Sequence, residues 1–399
     1  MFDISIEQPV LMKALEYLGP TVGKNANGLG DNCVSMKGTG RGSIDMYTTN
    51  TIESTKLEAI VSMGGQSTDQ APYVDYVRFK AIIASIPANE VISLKASVND
   101  LLIDFGTSHK PLRLVGCTTG MLGLPNNQFP QNSSTRIPKP LVQDALNNAC
   151  AVISDSASTP IYNCLRMYTS AMDVEITALD VNCKRTFVQW GKATSNNPQH
   201  EILVEASKLK KSMKLFEDYN ELDFYMDQYL IMIEAADPIA MVSMKTKGMI
   251  GNIVYYCRRL NGSFPANIAA NFSPGPREFI EINKGELLEC LARVKAIEDQ
   301  TTANMIDFEV NGGEVLVSMT STHGVINENI QTVKPATTGW KTVFKYPNLS
   351  DILKVTTTDT FEIGVLPSYP NNYVVRATGQ NDIMFTVPSM TSNANAATP

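Results

Sequence analysis

Apolar residues along the chain keep two rhythms that take turns. Leu11, Ala14, Leu15 and Leu18 stand at the i, i+3, i+4, i+7 spacing that gathers side chains on one helix face. The spacing returns at Val142, Ala145, Leu146 and Ala149, and again at Leu287, Cys290, Leu291 and Val294. After each stripe the period drops to two, as in a half-buried strand, in SIDMYTT (43–49), MDVEITALD (172–180) and IDFEVNGGEVLVSMT (306–320). The last reads as a hairpin about Asn311, Gly312 and Gly313. A second helical stripe follows in every case: Phe79, Ile82, Ile83 and Ile86, then Leu209, Ser212, Met213 and Phe216, then Leu349, Ile352 and Leu353. Paired strand-like runs close each unit, EVISLKA with DLLIDFG, ELDFYMD with YLIMIEAA, and TFEIGVL with NYVVRATG.

Helix, strands, helix, strands thus recurs three times, with matching first helices offset by 131 residues (14 to 145) and 145 residues (145 to 290). The pattern predicts an α+β fold of three similar domains, each with two helices against antiparallel sheets. The 399 residues exceed one ordinary core, and about 100–200 residues per domain leaves room for three. Expected boundaries are 1–132, 133–274 and 275–390, with a disordered tail at 391–399. The stretch GLPNNQFP (123–130) falls where the strand signal of the first unit ends. It reads as a domain end leading into a linker, with a ligand loop as the alternative.

With 43% hydrophobic and 18% charged residues, the composition is that of a folded chain. No basic stretch followed by an apolar run opens the sequence and no window of about 18 apolar residues occurs, so a cytoplasmic location is expected. Seven scattered cysteines (33, 117, 150, 164, 183, 257, 290) form no CxxC pair and read as reduced thiols packed as small hydrophobes. His109, His200 and His323 are too far apart for a metal-binding spacing, and no cysteine or serine sits in a nucleophile signature. GTGRG (38–42) lacks the G-x-x-x-x-G-K-[ST] pattern of a phosphate loop and lies between two strand-like runs, so a hairpin turn is expected there. Neither catalysis, a metal nor a cofactor is expected. A net charge of −7 argues against a uniformly basic surface and leaves a local basic face open.

Three segments carry a family resemblance. Leu124-Pro125 and Phe129-Pro130 close the first unit, Arg259-Leu260-Asn261-Gly262-Ser263-Phe264-Pro265 closes the second, and Phe385-Thr386-Val387-Pro388-Ser389-Met390 ends the third. In this order and spacing the chain resembles the bacterial DNA sliding clamp, the β subunit of DNA polymerase III, as a divergent member. It departs from the family at Asp180 to Phe187, where residues are inserted and a glycine is missing, and at Lys24, where an arginine is usual. The resemblance implies a ring-forming fold, a homodimer closed head to tail around double-stranded DNA without base readout, and no covalent chemistry. It also implies a processivity role, with a DNA polymerase and a clamp loader docking through short peptides.

The predicted helices carry Lys13, Arg78, Lys80, Lys139, Lys208, Lys210, Lys211, Lys214, Lys284, Arg293, Lys295 and Lys354, while strands and loops hold much of the acid. Solvated helix faces collect lysines in any protein, but here they recur at equivalent helices and fit DNA contact. Family likeness adds Lys24. It places the dimer interface at Phe105, Lys110 and Leu112 against Ala296, Ile297 and the strand that follows. It places the peptide pocket at Tyr162, Leu179, Val181, Lys184, Arg185, Phe187, Pro265, Ala269, Phe385, Val387 and Met390, of which the apolar members also suit an ordinary core. The competing reading is a non-catalytic structural or scaffold protein, for example of a phage, that kept the clamp fold.

Overall fold

The structure is a computed structural model. It describes residues 2–23, 31–40, 42–50, 53–64, 70–97, 99–106, 110–116, 134–153, 160–180, 185–196, 201–217, 219–226, 230–235, 250–258, 264, 265, 268, 272, 273, 275, 276, 278–299, 302–367 and 369–390. The linker GLPNNQFP, Lys24, Val181, Lys184, Ala269 and the tail 391–399 lie outside the described residues.

Each predicted helical stripe falls on a helix and turns inward, with Ile82 half-buried and Ile86 and Phe216 buried just past the helix ends. Helix α1 (Gln8–Leu18) carries a proline in its first turn, where a missing N–H costs nothing, and buries Leu11, Ala14, Leu15 and Leu18. Helix α2 (Tyr76–Ala84) is capped by Asp75, whose carboxylate accepts the Arg78 N–H at 2.8 Å, and buries Phe79 and Ile83. Helices α3 (Lys139–Ala149) and α4 (Ala206–Leu215) bury Val142, Ala145, Leu146 and Ala149, and Leu209, Ser212 and Met213. Helix α5 (Lys284–Ile297) starts at Asn283, whose side chain accepts the Glu286 N–H at 3.1 Å. It buries Leu287, Cys290, Leu291 and Val294, and α6 (Tyr346–Val355) buries Leu349, Ile352 and Leu353.

The chain packs as two compact units. Unit 1 comprises Met1–Pro140, Thr194–Pro198 and Lys208–Arg259. Its five-stranded sheet runs β5 (Met63–Gly64), β1 (Asp3–Glu7), β7 (Val91–Ala96), β8 (Asp100–Phe105), β9 (Leu112–Val115). Its nine-stranded sheet runs β14 (Thr194–Ser195), β10 (Thr135–Pro138), β16 (Glu221–Met226), β17 (Leu230–Ala235), β18 (Ile250–Arg258), β4 (Glu53–Ile60), β3 (Ser43–Thr49), β2 (Cys33–Gly38), β6 (Val74–Asp75). GTGRG falls between the paired strands β2 and β3, the hairpin position expected of it.

Unit 2 comprises Leu141–Ala193, Gln199–Ser207 and Leu260–Pro399. Its twelve-stranded sheet runs β15 (Glu201–Glu205), β11 (Cys164–Thr169), β12 (Asp173–Leu179), β13 (Thr186–Lys192), β26 (Ile383–Pro388), β25 (Tyr369–Ala377), β24 (Thr360–Leu366), β19 (Ile280–Asn283), β22 (Gly324–Lys334), β21 (Glu314–Ser321), β20 (Met305–Asn311), β23 (Trp340–Lys345). The β20–β21 turn uses Gly312 at φ 57°, a conformation that a side chain resists.

Two strand pairings stitch one repeat to the next. In unit 1, β18 ends the second repeat and pairs antiparallel with β4 of the first, from Ile253 against Leu57 to Cys257 against Glu53. In unit 2, β26 ends the third repeat and pairs with β13 of the second, from Thr186 against Thr386 to Gln189 against Ile383. Thr186 and Thr386 also join hydroxyl to hydroxyl at 2.7 Å. Close approach at Gly364 seats the chain entering the third repeat, since a Cβ there would stand 2.5 Å from Pro276 Cβ and 2.6 Å from the Glu278 carbonyl oxygen. Replacing Gly364 with Ala is expected to cost about 1–3 kcal/mol in denaturant unfolding, as overpacking does.

Candidate nucleic-acid and peptide interfaces

The helix-borne cations are not equivalent once the fold positions them. Lys211 reaches across unit 1 to the buried carboxylate of Glu53 at 2.9 Å, at the start of β4. Arg293 makes two 2.7 Å bonds to Glu328 on β22, which raise its own proton affinity and hold the Glu328 carboxyl below the usual carboxylate range. Lys354 pairs with Asp351 at 3.5 Å. Lys139 donates to the Glu217 carbonyl and Lys284 to that of Thr356. The ammonium groups of Lys13 and Lys80 lie 4.9 and 5.8 Å from the ring centres of Tyr17 and Tyr76. Lys208 is buried among its neighbours. Arg78, Lys210, Lys214 and Lys295 are exposed and make no ion pair among the described residues. Lys210 and Lys214 stand at i and i+4, a like-charge spacing that costs an isolated helix about 0.2–0.5 kcal/mol. A bound polyanion would turn that cost into attraction.

The residues singled out for dimer contact lie at or beside two sheet edges that carry no further strand among the described residues. Phe105 ends β8, Lys110 follows it exposed, and Leu112 opens β9, which among the described residues pairs only with β8. Ala296 and Ile297 end α5, and the Ile297 carbonyl accepts the Ser321 hydroxyl at 2.5 Å just before β22 begins. Residues 324–331 of β22 pair, among those described, only with β21. Among the described residues, four of the eight large hydrophobic residues left exposed lie on these two strands: Leu112 (40%), Val115 (71%), Val325 (61%) and Val333 (58%). The sequence reading missed β22 as such, although the alternation of GVINENI carries the signal.

The pocket residues divide between two faces of the unit 2 sheet. Leu179 belongs to a cluster with Cys164, Val188, Leu203, Phe264, Ile268, Phe272, Leu366 and Val374, flanked by half-buried Ile161, Tyr162, Trp190, Phe279 and Met384. Phe187 and Phe385 are neighbours on the opposite face, ring centres 5.3 Å apart and both fully buried. Phe385 there borders a crevice of about 210 Å³ with Asn148, Thr356 and Ile383. Val387, two residues on, shares the Phe385 face by alternation and is also fully buried. The strand signal was right, but Met384, one position earlier, faces the Tyr162 side. Arg185 binds Asp180 at 3.3 Å and the Ala151 carbonyl at 2.9 Å, Pro265 is exposed, and the Met390 N–H donates to the Val343 carbonyl.

Among the described residues no group of His, Cys, Asp or Glu is arranged to hold a metal, and no helix is long and apolar enough to cross a membrane. Cys164, Cys257 and Cys290 are buried, and burial followed by the nearby Glu328 pushes the Cys290 thiol up to about 12, well away from a reactive thiolate.

This architecture is the DNA sliding-clamp fold. Across 98% of its length the chain superposes on the DNA polymerase sliding clamp from Bacillus subtilis (TM-score 0.77, 14% identity, 99% of that chain). It does so equally with the DNA polymerase sliding clamp from Pseudomonas aeruginosa with ligand (0.80, 14%, 100%) and the beta subunit from DNA polymerase of Streptococcus pyogenes (0.78, 16%, 100%). No protein-family model and no curated protein matches the sequence.

The ion-pair inventory separates neighbouring lysines. Lys211→Met strands a buried carboxylate and is expected to cost about 1–3 kcal/mol in urea unfolding, whereas Lys210→Met and Lys214→Met should stay within about 0.5 kcal/mol of the parent.

Proposed function

We propose that the chain is a sliding clamp, a non-catalytic processivity factor whose two copies close a ring around duplex DNA and tether a DNA polymerase. One observation carries the reading. The last strand of the second repeat pairs with β4, and the last strand of the third pairs with the equivalent β13. The remaining members of the series, β9 at the end of the first repeat and β22 of the third, are the two open edges. A second copy supplies the missing partner to each, so two identical head-to-tail contacts close under C2 symmetry.

Side-chain alternation sets which residues meet. Leu112 and Leu114 lie opposite the buried Ile103 and Leu101, on the core face. On β22, Glu328 and the buried Ile330 turn toward α5, and Ile326 shares their face. The matching pairing therefore joins Leu112 and Leu114 to Ile326 and Ile297 on the helix side, and Val115 to Val325 on the other. Leu112→Glu or Val325→Arg should lower the mass in light scattering from twice 43.7 kDa to one chain. The same variants should lose retention on closed circular duplex, and a parent protein that stays equally bound after the circle is cut would sink the encircling mechanism.

Partner peptides, the clamp loader's included, dock on the face of Tyr162, Trp190 and Met384, next to the Phe264–Pro265 segment. Burying two or three apolar anchors at about 1.5–3 kcal/mol each, less ordering costs, suits exchangeable binding. Tyr162→Ala and Met384→Glu are expected to weaken binding of a polymerase-derived peptide at least about tenfold, or about 1.4 kcal/mol, with little change in melting temperature. Val387→Glu, by contrast, should act through stability, because it puts a charge in the core.

A further inference from the structure

The cations that remain available to DNA are concentrated on two helices. Helices α2 and α4 carry basic residues and no acid, whereas α1, α3 and α6 each set one basic residue against one acidic residue. Helix α5 holds Glu286 and Glu289 among its basic residues, and its Arg293 is spent on Glu328. Lys354 of α6 is engaged by Asp351. Helix α2 and the lysines of α4 all belong to unit 1, and in the third repeat Lys295 shares its helix with the exposed Glu286 and Glu289.

Resting on the sliding-clamp reading, we infer that each copy holds duplex DNA through α2 and α4, with Arg78, Lys210 and Lys214 meeting phosphates, while the helices of the third repeat add no net attraction. Phosphate neutralisation releases counterions, and each contact contributes about 0.9 to the slope of log affinity against log salt. Lysines already bound to a carboxylate in the free protein contribute little, because the contact with phosphate must first break a pair. The footprint is thus one-sided within each chain, and the intramolecular acids set its edge.

The test measures salt dependence of binding to a short fluorescent duplex by anisotropy, using the full chain and three variants. Lys210→Gln with Lys214→Gln should flatten the slope by about two per engaged chain. Lys295→Gln with Lys354→Gln should leave it unchanged, and Glu328→Gln, which frees Arg293, should steepen it by about one. Equal flattening by the α4 pair and the α5–α6 pair would overturn the one-sided footprint and leave the clamp reading standing, as would an unchanged slope in the α4 variant alongside retention on closed circles. Absence of circle-dependent retention in the parent protein removes the clamp reading and this inference together. Melting curves of the variants keep loss of binding separate from loss of fold.

Discussion

Antiparallel pairing between the last strand of one repeat and an edge strand of the repeat before it is the interaction on which the molecule depends. It carries main-chain hydrogen bonds from repeat to repeat, so three small domains share large sheets instead of resting on side-chain contacts alone. Among the described residues each repeat contributes two α-helices, and the shared sheet extends what it can bury. The buried Glu53 carboxylate held by Lys211 and the hydroxyl pair of Thr186 with Thr386 sit at these pairings, where polar groups taken from water need matched partners.

Charge is distributed by the burial of the helices. A helix that must bury one face has the other face to spend, and in α4 that face is lysine-rich. On α5 and α6, Arg293 and Lys354 pair with Glu328 and Asp351 instead. An acidic chain can still present a basic surface, because electrostatics falls off over about 8–10 Å at physiological salt and a ligand feels the nearest charges first.

The helices were legible because their period is strict. Leu11, Ala14, Leu15 and Leu18 occupy one face and all are buried, as are the corresponding residues of α3 and α5. The strands were legible for the same reason, and SIDMYTT is β3 residue for residue. The candidate pocket was less so. Phe385 and Met384 differ by one position, and in a strand one position reverses the face, which hydrophobicity alone does not reveal when both faces are covered. Ion pairing was invisible for a different reason. Glu53 and Lys211 are 158 residues apart, and nothing local in either segment announces the other.

The open edges of β9 and β22 have a further consequence. Complementary head-to-tail edges contain no stop signal of their own, so the angle at which successive copies meet decides whether assembly returns on itself or runs on as a filament. Exposed valines and an unfilled row of main-chain groups would then make an uncapped end reactive toward any extended chain. In the proposed ring, closure would protect these edges as well as hold the ligand. On the proposed assembly, substitutions far from either edge, at the sheet pairings that orient it, would turn a closed ring into a fibre without touching a contact between copies.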